Sequence, residues 1–331
     1  MRKLSFLLIC CVTLAPFSLG QAQTAFPYRD ARLPVEQRVQ DLLQRMTLEE
    51  KVAQLQCLWA AFRPQEFINA QGEFAPSDRV KAVLAHGIGQ IGGPSLGMAT
   101  DLENITGPYQ KKGPREHAIF ANQLQRYIIE RNRLGIPAIF HEEALHGLAA
   151  RGATSFPQAI ALASTWDVEL VREVFSAAAR EARARGTHQV LTPVLDLARE
   201  PRWGRIEETY GEDPYLVARM GVAAVRGFQG DGPNIDRRHV IATLKHFAAH
   251  GQPEGGTNIA PANYSERVLR EQFFYPFQAA VTEGGAMSVM ASYNEIDGIP
   301  SHANRRLLGN VLRGEWGFRG FVVSDYFGIN E

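Results

Sequence analysis

Gly320-Phe321-Val322-Val323-Ser324-Asp325-Tyr326 is the stretch that says most about the fold. An apolar run leads directly into an acidic residue, and an aromatic residue follows it. Short apolar runs of this kind are typical of buried parallel strands. In a (β/α)₈ barrel, side chains at the C-terminal end of each strand point into the mouth where the active site lies. Asp325 is therefore the first candidate for a chemical role.

Other short apolar runs have the same character, and helical patterns separate them. Together with the first stretch they lie around 88–91, 136–140, 189–195, 240–244, 287–293 and 321–324. This alternation predicts an α/β fold with a parallel sheet. Because a TIM-type (β/α)₈ barrel has eight strands, we expect residues 23–331 to form such a barrel, truncated before its last strands. A doubly wound sheet, which binds ligands at a switch point, is the alternative.

The helical patterns include a clear start signal at Thr47-Leu48-Glu49-Glu50, which matches a capping box. Val52, Leu55 and Trp59 are spaced as one side of the helix that follows it. A later helix is expected from Glu266 to about Glu283, where Pro276 should kink or split it. Further helical faces are marked by residues 35–43, 120–128 and 171–182.

The composition is that of a soluble globular protein. The chain has 331 residues, 45% hydrophobic and 21% charged, with a formal net charge of zero. This charge balance argues against a nucleic-acid partner, whose binding sites are strongly basic.

The N-terminus has a basic start at Arg2 and Lys3, followed by a mostly apolar run from Leu4 to Leu19. Gly20-Gln21-Ala22 then fits a small-residue cleavage site. We expect residues 1–22 to be a signal peptide and the mature protein to be exported, to the periplasm or out of the cell. A membrane anchor is the alternative, although the run is short for a spanning helix.

Two patterns resemble cofactor or metal motifs. The stretch from Gly87 to Gly92 matches G-x-G-x-x-G, but a helical pattern precedes it where a dinucleotide site needs a strand. We expect its glycines to allow close packing instead. The stretch from His141 to Gly147 has two histidines five residues apart, whereas the zincin motif places them four apart on a helix. A loop that offers carboxylates and imidazoles to a polyhydroxylated ligand is the stronger interpretation, and no metal or cofactor is expected.

A charged loop runs from Pro201 to Pro214. For Glu207, Glu212 and Asp213 we favour a structural ion-pair network, because partly buried charges must pair. Arg205 is the better candidate for a ligand contact, since a guanidinium group donates in a fork geometry.

Polar residues follow or close five successive predicted strands. This is how a barrel assembles one site from several strand ends. The residues are Glu143, Arg205, Lys245 with His246, Tyr293 and Asp325.

Several different short motifs are distributed along nearly the whole mature chain. They are Met46-Thr47-Leu48-Glu49-Glu50-Lys51, His146-Gly147, Pro201-Arg202-Trp203-Gly204-Arg205, Gly211-Glu212-Asp213-Pro214, Lys245-His246-Phe247, Leu312-Arg313-Gly314-Glu315-Trp316-Gly317-Phe318 and Val323-Ser324-Asp325-Tyr326. Together they resemble glycoside hydrolase family 3, the exo-acting β-glucosidases and β-xylosidases. The resemblance implies an N-terminal (β/α)₈-type barrel followed by an α/β sandwich domain, which is expected to be absent from this chain.

The resemblance also implies the chemistry. Asp325 would be the nucleophile of a double displacement that retains the anomeric configuration and passes through a glycosyl-enzyme. The substrate would be a β-linked oligosaccharide or glycoside, from which the enzyme removes the terminal non-reducing β-D-glycosyl residue. The residues that would hold this sugar are Glu143, Arg205, Lys245, His246, Tyr293 and Tyr326, the last standing where many members have Trp.

Two departures from the family pattern matter. Most members take their general acid from the second domain, and one branch uses an Asp-His pair in the loop after Lys-His-Phe. The corresponding loop here, from Gly251 to Asn258, has no such pair, and Glu254 is a remote alternative. Glu143 stands where many glucosidases have Asp and xylosidases often have Glu. We therefore expect a β-glucosidase type of activity, with a β-xylosidase or a non-catalytic sugar-binding fragment as alternatives.

Overall fold

A computed structural model describes residues 26–61, 63–69, 73–95 and 113–330 of the chain. The predicted signal peptide, residues 1–22, lies outside the described residues. The chain divides into two compact units, one up to Lys51 and the other from Val52 onwards.

The first unit contains helix α1 (Val35–Arg45) and the start of helix α2 (Leu48–Ala53). The predicted capping box is present. The Thr47 backbone N–H donates to Glu50 Oε2 at 2.9 Å, and the Glu50 N–H donates to Thr47 Oγ1 at 3.3 Å. Both exchanges satisfy N–H groups that a helix start leaves without partners.

The second unit contains a curled parallel sheet of seven strands, which confirms the α/β barrel-type fold. Its strands are hydrogen-bonded in chain order without a reversal, so the sheet has no switch point of the doubly wound kind. The strands are β1 (Cys57–Trp59), β2 (Gln90–Gly92), β3 (Ile139–Glu142), β4 (Gln189–Val190), β5 (Ile241–Phe247), β6 (Ser288–Ala291) and, after the antiparallel pair β7 (Glu295–Ile296) and β8 (Ile299–Pro300), β9 (Phe321–Ser324).

Strand β1 corrects one prediction. The helix that starts at Leu48 ends at Ala53, and Trp59 belongs to a strand rather than to the helix. The Gly89 N–H donates to the Ala53 carbonyl at 2.9 Å, and the Gln90 N–H donates to the Gln56 carbonyl at 3.0 Å. These bonds turn the chain into the sheet, and the pairing outweighs the local helical spacing.

Helices of the second unit connect most of the strands. They are α3 (Asp78–Val83), α4 (Pro114–Arg131), α5 (Ala159–Ala163), α6 (Val168–Ala184), α7 (Pro214–Gln229), α8 (Glu266–Val268) and α9 (Tyr275–Thr282), with π-helical segments at Leu269–Phe273 and Arg306–Glu315. The predicted break near Pro276 is present, because the π-helical turn separates α8 from α9 and Pro276 lies in the first turn of α9. Asp213 accepts from the Leu216 N–H at 2.7 Å and so caps α7. This corrects its assignment to an ion-pair network.

The glycine-rich stretch lies at the contact between β1 and β2. A Cβ atom on Gly89 would lie 1.9 Å from the Gln54 carbonyl oxygen. A Cβ atom on Gly92 would lie 2.7 Å from the Trp59 ring. These distances agree with the expected packing role, because neither position has room for a side chain.

Polar groups near the starts of the central strands form one neutral network around Gln189. The Gln189 side-chain N–H₂ group donates to Thr243 Oγ1 at 2.8 Å and to Ser288 Oγ at 3.2 Å. Its carbonyl oxygen accepts from the Gln90 amide at 3.4 Å. Gln189, Thr243 and Ser288 are buried, so these bonds meet the requirement that buried polar groups find partners.

Candidate active site

The polar residues predicted at strand ends lie at one edge of the parallel sheet. Glu143 follows β3, Asp325 follows β9, and Tyr293 comes two residues after β6. Lys245 and His246 were expected to follow their strand, but β5 continues to Phe247 and includes both. Strand β5 therefore carries both ionisable side chains, Lys245 and His246, within the sheet rather than in a loop beyond it.

Glu143 is held through both carboxylate oxygens. Lys245 Nζ donates to Oε2 at 3.1 Å, and the Tyr326 hydroxyl donates to Oε1 in a short hydrogen bond. The Lys245 side chain is only 4% exposed, so this ion pair is shielded from solvent. Shielded pairs are far less screened than surface pairs.

Asp325 is buried and only partly compensated. Its Oδ1 accepts from the Tyr326 backbone N–H at 2.7 Å, and its Oδ2 lies 3.6 Å from His246 Nε2. Within the described ranges, Oδ2 has no hydrogen-bond partner. Burial raises the pKa of Asp325, and the positive charge of Lys245 opposes that rise. Burial therefore disfavours the ionised carboxylate of Asp325, whereas the Lys245 charge and the Tyr326 N–H favour it.

Asp196 was not predicted as a site residue. It is buried, and its Oδ2 accepts from His246 Nδ1 at 2.6 Å and from the His246 backbone N–H at 3.1 Å. A carboxylate bonded at Nδ1 fixes that nitrogen as the protonated one, so Nε2 becomes an acceptor. The signal was available in the sequence, because the apolar run that starts at 189 ends at Asp196.

Arg205 uses most of its donors within the protein. Its Nε and Nη2 donate to the two oxygens of Glu208 at 2.7 and 2.8 Å. Its Nη2 also lies 3.2 Å from His246 Nε2, and its Nη1 lies 3.4 Å from His250 Nε2. A guanidinium group has five N–H donors, so these contacts leave few for a ligand.

Both histidines remain neutral beside this guanidinium group. Burial, followed by the charges of Arg205 and Lys245, holds the pKa of His246 well below its ordinary value. Burial and the neighbouring His246 lower the pKa of His250 to about 3. Sequence reasoning missed His250, which lies in the loop after β5 and has no motif of its own.

A known protein family matches most of this chain. The profile of the glycosyl hydrolase family 3 N terminal domain matches residues 47–331. The chain belongs to glycosyl hydrolase family 3. A β-xylosidase of Formosa agariphila is 50% identical to this chain over 200 residues, which cover 58% of this chain and 28% of the relative. A periplasmic β-glucosidase of Salmonella typhimurium is 33% identical over 293 residues, which cover 88% and 34% respectively.

Solved structures agree with this assignment. A β-glucosidase from Erythrobacter marinus matches with a TM-score of 0.81 and 40% identity, over 93% of this chain and 38% of its own. A Listeria innocua β-glucosidase solved in complex with laminaribiose matches with a TM-score of 0.75 and 34% identity, over 89% and 38%. The family 3 chain therefore spans about a quarter to two fifths of the length of these relatives.

Aromatic side chains border the charged groups in the family 3 chain. The Trp59 ring meets the Tyr326 ring edge to face, with centroids 4.5 Å apart. The Tyr293 hydroxyl donates to the Tyr326 carbonyl oxygen at 2.7 Å. Trp203 packs on His250 with centroids 5.4 Å apart. Aromatic faces beside polar groups suit a ligand such as a sugar, which has apolar C–H faces and polar edges.

Glu254, the remote alternative for an acid, lies apart from these contacts. Its carboxylate accepts from the Asn263 side chain at 2.6 Å, and its backbone N–H donates to the Pro261 carbonyl at 3.0 Å. The residues that the structure describes contain no cluster of His, Cys, Asp and Glu suited to a metal ion. Among the same residues, no helix has the length and apolar character needed to cross a membrane.

Proposed function

We propose that the protein is an exo-acting, retaining β-glycosidase of the β-glucosidase type, with Asp325 as its nucleophile. The observation that carries this proposal is the buried Asp325 carboxylate, with one oxygen unpaired in the described part of the chain, beside Lys245 and His246. Its family and the names of its relatives support the same reaction class.

In this proposal Asp325 attacks the anomeric carbon of the terminal non-reducing sugar. A glycosyl-enzyme forms as the bond to the leaving oxygen breaks, and water then releases the sugar with retained configuration. Glu143, Lys245 and His246 bind the sugar hydroxyls, and Tyr293 and Tyr326 line the same pocket. Arg205 acts mainly by fixing both histidines as acceptors, with a remaining N–H for the substrate.

Of the roles in this mechanism, the general acid has the weakest candidate among the described residues. The carboxylates of Glu143, Glu208 and Asp196 already accept hydrogen bonds from Lys245, Arg205 and His246 respectively, so each is engaged within the protein. A general acid must instead be protonated, with its carboxyl about 5–5.5 Å from the nucleophile. We propose that it comes from a part of the protein corresponding to the remaining length of the relatives, and that Glu254 is not the acid.

A β-xylosidase is the second candidate, favoured by the geometry of Glu143. This side chain is one methylene longer than Asp and is held at both oxygens. One methylene in a pocket changes discrimination by about 1–3 kcal/mol, so activity on both sugars is compatible with this site. We also propose export, since the basic and apolar N-terminus fits a signal peptide and one relative is named as periplasmic.

The test uses substrates that need no general acid. A 2,4-dinitrophenyl β-D-glucoside or β-D-xyloside has a leaving group that departs without protonation. We expect a burst of about one dinitrophenolate per chain, followed by slow turnover, because the glycosyl-enzyme accumulates. Asp325→Ala should abolish the burst. Asp231→Ala, which removes an exposed carboxylate paired with Arg172, is the matched control and should keep it.

The outcomes separate the alternatives. No burst from a folded chain would overturn the assignment of Asp325 and leave a non-catalytic sugar-binding role. Sustained turnover of p-nitrophenyl glycosides, which do need acid assistance, would place the acid within these residues. Loss of that turnover in Glu254→Gln would then identify Glu254.

A further inference from the structure

We propose that a cavity between helices α4 and α6 binds an acidic sugar, meaning a sugar that carries a carboxylate or a phosphate group. The cavity has a volume of about 380 Å³. Gly186 and His188, which precede β4, and Arg237, which precedes β5, are among the residues that line it. It therefore lies at the edge of the sheet where the strands begin. Asp325 follows β9 at the opposite edge, so the cavity is separate from the candidate active site.

Two guanidinium groups line this cavity without a carboxylate partner. Arg183 Nη1 donates to the Thr187 carbonyl oxygen at 3.2 Å, which leaves other N–H groups of Arg183 for a ligand. Arg237 is exposed, and neither arginine forms an ion pair with another residue that the structure describes. A guanidinium group binds carboxylate and phosphate oxygens through two parallel N–H donors, so the two arginines suit an anion.

Carboxylates that neighbour these arginines along the chain are engaged elsewhere. Asp236, next to one arginine, accepts from the Arg238 backbone N–H and from His239 Nδ1, each at 2.7 Å. Glu181, on the same helix as the other arginine, accepts from the Thr154 N–H at 2.9 Å. No Asp or Glu is among the described residues that line the cavity. The positive charge there is not neutralised by the lining, which favours an anionic ligand.

His188 adds a neutral donor. Its Nδ1 accepts from the Phe140 backbone N–H at 3.0 Å, so Nε2 carries the ring proton. Burial, followed by the charge of Arg183, lowers the pKa of His188 to about 4, so the ring stays uncharged at neutral pH. The exposed side-chain amide of Asn122 belongs to the same lining and can bind a sugar hydroxyl.

An apolar surface lies beside these donors. The Phe140 and His188 rings have centroids 5.4 Å apart, and Ala118 and Ala121 of α4 line the same cavity. A pyranose has apolar C–H faces and polar edges, so it can pack on this surface while its anionic group meets the arginines. Small-molecule sites have volumes of about 300–1,000 Å³, and the cavity falls within that range. A bare ion would leave most of the space unfilled, which is why we infer an acidic sugar.

The test is a titration of the ¹⁵N-labelled chain at constant ionic strength, followed through the backbone N–H signals of Gly186 and His188 and the arginine Nε–H signals. The probes are sodium glucuronate, glucose 6-phosphate, glucose and inorganic phosphate. We expect both acidic sugars to bind with a Kd of about 1 mM, a usual value for ligands of this size. Glucose should bind at these signals at least about tenfold more weakly, because it lacks the charged group that the arginines contact.

Charge reversal at one arginine separates the cavity from general charge effects. Arg237→Glu changes an exposed side chain that makes no hydrogen bond within the described chain, so the fold should be kept. We expect it to raise the Kd of both acidic sugars at least about tenfold. Arg319→Glu makes the same change at an exposed position before β9, at the same edge of the sheet but outside the cavity lining, and should leave every Kd unchanged.

Equal binding of glucose and glucuronate at the cavity signals would overturn the inference, as would the absence of binding by both acidic sugars. An equal loss of affinity in Arg319→Glu would overturn it too. Binding of inorganic phosphate without either acidic sugar would reduce the cavity to an ion site and overturn the inferred ligand. Binding of one acidic sugar would support the inference and identify the anionic group.

The dinitrophenolate burst reports separately on Asp325. It should be the same in Arg237→Glu as in the unsubstituted chain, because the cavity lies at the opposite edge of the sheet. A failed cavity with an intact burst therefore leaves the proposed reaction standing, and the reverse outcome leaves the cavity standing.

Discussion

Two polar layers lie along the parallel strands, and they differ in how their groups are satisfied. Near the strand starts, Gln189 joins Gln90, Thr243 and Ser288 in a neutral network in which the Gln189 amide both donates and accepts. At the strand ends the polar groups are charged or ionisable and several atoms have no partner within the described residues, among them Asp196 Oδ1 and Asp325 Oδ2. On β5, Thr243 and Lys245 stand only two residues apart.

Because of this difference, we expect the neutral layer to stabilise the fold and the charged layer to hold the reactive groups. A satisfied neutral network contributes to folding and presents nothing reactive. Buried charges without full compensation cost free energy in the folded state, and they are where reactive groups are found. We therefore expect substitutions in the two layers to have opposite effects on stability and on activity.

The largest expected effect is that of Asp325→Asn. It removes the nucleophile, so the rate of dinitrophenolate release should fall by at least about 10³-fold. Because burial raises the pKa of Asp325, the charge is unfavourable in the folded state, and the neutral amide should leave the free energy of unfolding unchanged or higher. Single-turnover kinetics and urea unfolding measure the two quantities. A large loss of stability would contradict the contrast between the layers.

Gln189→Ala should have the reverse effect. It leaves the Thr243 and Ser288 hydroxyls without their amide donor and opens a cavity, at a cost of about 2–4 kcal/mol in the free energy of unfolding. The folded fraction should keep its burst amplitude. Gln278→Ala, at an exposed helical position, is the control and should change stability by less than about 0.5 kcal/mol.

Glu142→Gln should change how stability depends on pH. Burial raises the pKa of Glu142 to about 7 from 4.5. A carboxyl with a raised pKa binds its proton more tightly when folded, so its stabilising contribution is present below pH 4.5 and is lost as pH rises to about 7. As the pH rises from 5 to 8, the free energy of unfolding of the variant should therefore increase by about 2–3 kcal/mol relative to that of the unsubstituted chain. The retained amide oxygen still accepts from the Ser95 N–H.

Urea unfolding at several pH values tests this prediction through the difference between the two proteins. That difference removes the contribution of His141, whose pKa is lowered to about 4 by burial and which has the opposite pH dependence. Parallel curves for the two proteins would show that Glu142 is not the titrating group.

The smallest expected effect is that of Asp196→Asn. The amide oxygen can still accept from His246, but the charge that favours the Nδ1-protonated form is lost. We expect the second-order rate constant for dinitrophenolate release to fall about tenfold. The acid limb of the pH profile of this rate constant should also move, since the Asp196 charge lies beside the His246 and Asp325 pair.

A surface pair provides the control for this substitution. Asp236 accepts from His239 Nδ1 at 2.7 Å, the same kind of contact in an exposed position. Asp236→Asn should leave both the rate and its pH profile unchanged. An effect as large as that of Asp196→Asn would mean that loss of charge acts generally rather than through His246.

Much of the fold could be predicted because six strands are short apolar runs bounded by polar residues. Strand β1 could not, since Val52, Leu55 and Trp59 are spaced as on a helix and only pairing with β2 reveals the strand. The π-helical segments were also missed, because their extra residue per turn leaves no distinct pattern over five to ten residues.

The site was predictable where a polar residue ends an apolar run, as at Glu143 and Asp325. Asp196 also ends an apolar run. It was missed because the functional role in this region was assigned to Arg205, in the charged loop that follows. The contact between Tyr326 and Glu143 had no local signal at all, since 183 residues separate them. Only the curl of the sheet brings such residues together.

The tight contact at Gly89 and Gly92 has a consequence for mutational scanning. A library covering 87–92 should tolerate almost no replacement at these two positions, because any side chain meets the Gln54 carbonyl or the Trp59 ring. The scan would reproduce the glycine pattern of a dinucleotide motif from steric selection alone. Intolerance to substitution at a familiar motif therefore reports the space available to a residue and not the ligand that the motif usually binds.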